Sequence, residues 1–116
     1  MKSGKIWGMT ELLHRNPVLE FHRIEINEGG YCSKHLHQFK WNGFFVESGK
    51  LQIKVWKNEY DLQDITILMP GDFMQVKPGD FHEFRALEQT VAFELYWAEF
   101  DPSDIVRETV GGASDR

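Results

Sequence analysis

The chain has 116 residues, 41% of them hydrophobic, and carries 13 Lys and Arg against 18 Asp and Glu, a formal net charge of −5. That length suits one small domain, and the acidic balance argues against nucleic acid or an anionic membrane as partner, since both want a basic face. Its short apolar runs exclude a bilayer-spanning helix; the opening stretch lacks the apolar core of a secretory leader, and a lone cysteine, Cys32, cannot close an internal disulfide, so a cytoplasmic setting is expected.

In chain order, stretches rich in β-branched and aromatic residues alternate with turn signals. Segment 19–26 runs into Gly29-Gly30, 44–47 into Ser48-Gly49, and 51–56 into Lys57-Asn58. Segment 65–69 meets Pro70-Gly71-Asp72, 73–76 meets Pro78-Gly79-Asp80, and the stretches 81–85 and 91–98 follow. Many short strands at such spacing predict an all-β sandwich or barrel. Leu51, Ile53 and Val55 alternate with Gln52, Lys54 and Trp56, the pattern of a strand with one dry face. Residues 102–107 read as a short helical turn, with Asp101 or Ser103 as its cap, and 108–116 as a flexible tail. Nothing divides the chain, so 1–116 is expected to be a single domain with its core over about 18–100.

Two elements carry chemistry. On an extended strand, residues i and i+2 share a face, so His35-Leu36-His37 projects two imidazoles side by side, within reach of one metal ion. Further on, a turn pinned by Pro78 and Gly79 feeds a strand whose first inward residue is His82. Three neutral imidazoles on rigid strands leave coordination positions open for water or a ligand. His14 and His22 lack such a context and read as surface or packing residues.

Gly29…His35-x-His37…Asn42…Gly49 and Gly71-Asp72…Pro78-Gly79-x-x-His82 resemble the two signature motifs of the cupin superfamily, over about 20–97. The resemblance implies a double-stranded β-helix, or jelly-roll barrel, with a divalent transition metal (Zn, Fe, Mn, Co or Ni) at its centre, and commonly a homodimer. It makes His35, His37 and His82 the metal ligands and gives Asn42 the place where the family usually carries a glutamate. An amide oxygen there brings no charge, so a three-histidine site is expected, with weaker affinity or altered geometry.

Three flanking stretches narrow the resemblance. Lys5-Ile6-Trp7-Gly8, the run from His22 to Ser33, and Ser103-Asp104-Ile105-Val106-Arg107-Glu108 are similar to parts of the cupin domain of type II phosphomannose isomerases. This implies a small polar ligand, a sugar or sugar phosphate, and an aldose–ketose shift that needs a Lewis acid and a proton-moving base. Glu94 is the candidate base, and Lys40 and Arg85 are candidates to meet a phosphate. Strand parity sets Lys34 opposite the metal-facing side. Trp41, one of the aromatics around the motifs, is a candidate for a flat wall beside the polar ligands, suited to a sugar or a small aromatic acid. Two other readings stay open: a non-haem metal oxygenase, and a binding or sensor module without catalysis.

Overall fold

Nine strands form among the residues that this computed structural model describes, 1–57, 62–98 and 100–114. They are β1 (Lys2–Lys5), β2 (Gly8–Asn16), β3 (Leu19–Ile26), β4 (Trp41–Ser48), β5 (Leu51–Lys57), β6 (Leu62–Leu68), β7 (Phe73–Val76), β8 (His82–Ala86) and β9 (Thr90–Trp97). A six-stranded sheet runs β1-β2-β3-β9-β4-β7 and a three-stranded sheet runs β6-β5-β8, with every pairing antiparallel. The expected all-β, double-sheet architecture is present.

The core lies between the sheets: Ile24, Ile26, Val46 and Ala92 of the larger meet Leu51, Ile53, Val55 and Phe84 of the smaller. In β5 the alternation read from sequence holds, with Leu51, Ile53 and Val55 buried and their neighbours partly exposed. Gly49 makes the turn from β4 into β5 possible. Its φ of +91° is left-handed, and a Cβ there would run into Gln89 O and come within 2.5 Å of Thr90 Oγ1. That hydroxyl is already engaged, donating to Lys50 O at 3.1 Å and accepting from Lys50 N at 3.2 Å.

The structure departs from the expected elements at both ends. Strands begin at Lys2, well before the expected core, because main-chain pairing adds β2 to the edge of β3 and β1 to β2. Their alternation is broken by a register shift between Leu12 and His14, which hides the strand period from a sequence reading. Residues 102–107 close a hydrogen-bonded turn and no helix forms among the described residues. Asp101 Oδ1 accepts from Ser103 N at 3.0 Å and from Ser103 Oγ at 2.7 Å, the cap expected of it. Ile105 and Val106 stay exposed, so a short helix there has no packed face to sustain it. The expected turn at Lys57-Asn58 falls partly outside the described residues, as does the end of the expected tail, 115–116. Among the described residues no helix is long and apolar enough to cross a membrane.

Candidate metal centre

The segment after β3 runs alongside β8 and is tied to it by its main chain. Gly29 N donates to Ala86 O at 2.8 Å, Cys32 N to Phe84 O at 3.2 Å, and His35 N to His82 O at 3.1 Å; His82 N returns a bond to His35 O at 2.8 Å. His35 and His82 are thus direct cross-strand partners, their ring centroids 4.6 Å apart. His37, two residues on, adds a third ring 5.1 Å from His35 and 5.5 Å from His82, and one ligand atom from each of the three lies within 4.8 Å of the others. The sequence brings two of these rings together by the i, i+2 period; strand pairing supplies the third.

Each ring is oriented for ligation. His82 Nδ1 faces Asp80 O at 3.0 Å and His35 Nδ1 faces Ser33 O at 2.7 Å. A carbonyl only accepts, so His35 Nδ1 carries the proton and its Nε2 presents a lone pair; a proton on His82 Nδ1 leaves that ring's Nε2 free in the same way. His37 Nε2 is buried without a hydrogen-bond partner, which a native fold rarely leaves unexplained. Burial, then repulsion from His35 and His82, pushes the His37 pKa down to about 4; burial lowers that of His82 as well. His37 and His82 are thereby held neutral, the state a metal needs.

Asn42, on the inward face of β4 and 1% exposed, stands against His82. Its Nδ2 donates to Leu95 O at 3.2 Å and to Glu94 Oε2 at 3.3 Å, which fixes the amide orientation. Asn42 Oδ1 lies 3.0 Å from His82 Nε2, so both nitrogens of that ring face a carbonyl oxygen at 3.0 Å. A neutral ring has one proton to share between two such oxygens, and ~3 Å is also the spacing of adjacent ligands each ~2.1 Å from one ion. The residues present fit a divalent metal, with His35, His37 and His82 to hold it and Asn42 Oδ1 beside them.

In front of the triad is a cavity of about 370 Å³, the scale of a small-molecule site. His35 and His37 line it together with Thr10, Glu20, His22, Lys40, Glu94 and Tyr96, and with Trp7 and Phe84 as apolar wall. Glu94 points inward and is buried; desolvation raises its pKa, against the hydrogen bonds from Tyr96 and Asn42 that lower it. Tyr96 OH donates to Glu94 Oε2 at 2.9 Å. Lys40 stands over the Tyr96 ring, 4.9 Å from its centroid.

Two of the residues read from sequence as ligand contacts sit elsewhere. Arg85 lies over the Tyr31 ring at 4.5 Å, and Trp41 stacks on Trp97 at 6.3 Å; the described residues of the cavity wall include neither. Both occupy odd-parity positions that face away from the barrel interior, Arg85 between Phe84 and Ala86, and Trp41 before Asn42. Lys34 also turns outward, onto Trp56 at 4.3 Å. Conversely, His22 is part of the cavity wall. It pairs with Glu94 across β3 and β9, and its Nε2 meets Glu20 Oε1 at 3.0 Å. The available signal was parity, because Glu20 and His22 share the face of Ile24 and Ile26.

No protein-family model matches the chain, and no curated protein matches it. Solved structures do. KdgF from Halomonas sp. superposes with a TM-score of 0.72 at 17% identity, over 86% of this chain and 89% of that one. An RmlC-like cupin from Shewanella frigidimarina gives 0.68 at 20% identity, over 89% and 86%. The capsular polysaccharide assembling protein CapF from Staphylococcus aureus gives 0.73 at 19% identity, over 90% of this chain but 32% of CapF. At such identities the likeness carries the fold: the chain has the cupin jelly-roll architecture.

Proposed function

We propose that this cupin-fold chain binds one divalent transition-metal ion through His35, His37 and His82, with Asn42 adjacent, and uses it to bind or transform a small polar molecule in the cavity in front. The observation that carries the reading is the convergence of three imidazoles, one of which has a buried, unpartnered Nε2. Every protein donor is neutral, so a bound ion keeps its full charge and favours an anionic ligand.

A sugar phosphate is the ligand class favoured by the sequence resemblance, with aldose–ketose isomerisation as the reaction. The ion would supply Lewis acidity to a carbonyl and its neighbouring hydroxyl. Glu94 would move the proton between adjacent carbons, since its raised pKa brings the carboxyl nearer to neutrality, and Tyr96 and Asn42 orient it. Lys40, at the cavity wall, would meet the phosphate. Protein as purified should contain about one equivalent of a divalent transition metal and interconvert mannose and fructose 6-phosphates. Glu94→Gln should lower turnover by about 10²-fold or more and leave metal content unchanged. Absence of metal sinks the reading; turnover unaffected by Glu94→Gln removes Glu94 from the chemistry. The neutral donor set favours one rival, a non-haem oxygenase, which dioxygen uptake without isomerisation would select.

A second copy of the chain is proposed to cover the outward face of the larger sheet. Phe21 and Phe93 lie 5.5 Å apart there, Phe45 and Phe93 6.5 Å, and Phe45 and Phe73 are cross-strand neighbours with substantial exposure. An apolar patch of that kind marks an interaction surface. Sedimentation should find a dimer that Phe45→Glu with Phe73→Glu converts to monomer; a monomeric parent protein at tens of micromolar would end the proposal.

A further inference from the structure

The metal-facing cavity borders a second, larger hollow. That groove has a volume of about 680 Å³ and shares Lys5, Trp7, Cys32 and Ser33 with the cavity wall. Beyond the shared rim it is bounded by Ile6 at the β1–β2 turn and by the loop Asn27 to Tyr31. Its character differs from the cavity's, where Glu20, His22 and Glu94 bring charge and hydrogen bonding. Ile6, Trp7 and Tyr31 give the groove three apolar or aromatic side chains.

The groove is also preformed. Trp7 is braced edge-on by Phe84, ring centroids 5.0 Å apart, and its carbonyl accepts from Asn27 N at 2.9 Å, locking the two banks together. Gly30 permits that approach, since a Cβ there would come within 2.9 Å of both Trp7 O and Asn27 O. Tyr31 is backed by the Arg85 guanidinium. Braced in this way, Trp7 and Tyr31 bind an apolar group with little entropy left to lose, while Ile6 stands fully exposed at the rim.

Resting on the metal-cavity reading above, we infer that the ligand is bipartite: a polar, metal-chelating head in the histidine cavity carrying an aryl or short alkyl group that lies in the groove between Ile6–Trp7 and Tyr31. A bare sugar phosphate or a simple acid fills the first hollow alone. A hydroxy acid or sugar derivative with an apolar substituent spans both. Trp7, Cys32 and Ser33 line both hollows, so such a ligand would cross at that shared rim.

Calorimetry on zinc-loaded protein tests this with glycolate against 3-phenyllactate and 2-hydroxy-4-phenylbutanoate, acids with one head and tails of rising reach. At least one aryl acid should bind about tenfold or more tighter than glycolate, the order expected for burying a phenyl group. Ile6→Ser and Tyr31→Ser, both at exposed positions, should erase that gain and leave glycolate binding as it was. Equal affinities, or a gain that survives both variants, overturn the groove while glycolate binding upholds the metal cavity. Failure of all three acids to bind zinc-loaded protein overturns the proposed function and the bipartite ligand with it. Conversion of a dimer to a monomer by Ile6→Ser or Tyr31→Ser also overturns it, by showing that the groove is filled by a second copy of the chain.

Discussion

His35→Ala combined with His37→Ala should reduce metal content to below about a tenth of an equivalent and leave both sheets folded. Two of three imidazoles are removed, and His82 with a neutral amide makes too poor a donor set for a divalent ion. The fold survives because what His35 contributes to it is main chain: its N–H and C=O bond to His82 whatever side chain it carries. The His37 ring contributes a buried Nε2 without a hydrogen-bond partner, which costs free energy in metal-free protein, about 1–3 kcal/mol for such a group. The metal-free variant should therefore melt no lower than metal-free parent. Elemental analysis and thermal melts with chelator present check both halves. Full metal occupancy in the variant would mean a different ligand set, and collapse of its melting transition would mean that the rings support the barrel.

The triad was legible because its parts are local. His35 and His37 follow the strand period, and Pro78-Gly79 pins the approach to His82. The His35–His82 pairing spans two distant segments and is settled only by the register of the main-chain bonds. The cavity wall was harder to read for a physical reason. In β9 the bulkier apolar residues, Val91, Phe93 and Leu95, face outward, while Ala92, Glu94 and Tyr96 face in. In β3 Phe21 faces out and His22 in; in β4 Phe45 faces out and Asn42 in. A hydrophobic pattern read as core therefore inverts at this end of the barrel. There the interior is a polar site and the exterior an aromatic patch. At the other end Ile24, Ile26 and Val46 restore the ordinary sense. Arg85 and Trp41 were misplaced by the same ambiguity of parity.

Asn42→Asp should be the most damaging conservative change at the site. The amide is the one group that gives an N–H to Glu94 Oε2 and Leu95 O while turning an oxygen to His82 Nε2. Aspartate has nearly the same shape but no N–H. Both acceptors lose a donor, Glu94 Oε2 keeping only Tyr96 OH, and a second carboxylate is set beside buried Glu94. Two lost hydrogen bonds and a buried like-charge contact should cost the metal-free protein about 3–5 kcal/mol. Glu94→Gln returns a donor to that spot, so Asn42→Asp with Glu94→Gln should recover much of the loss, with a coupling energy of at least about 1.5 kcal/mol in a double-mutant cycle. The same double variant places a charged oxygen beside His82 Nε2 and should bind divalent metal more tightly than the parent, with the proposed proton transfer abolished. Urea unfolding in chelator measures the cycle, and competition with a chromogenic chelator measures the affinity. Additive stabilities would separate Asn42 from Glu94, and unchanged metal affinity would set Asn42 outside the ligand shell.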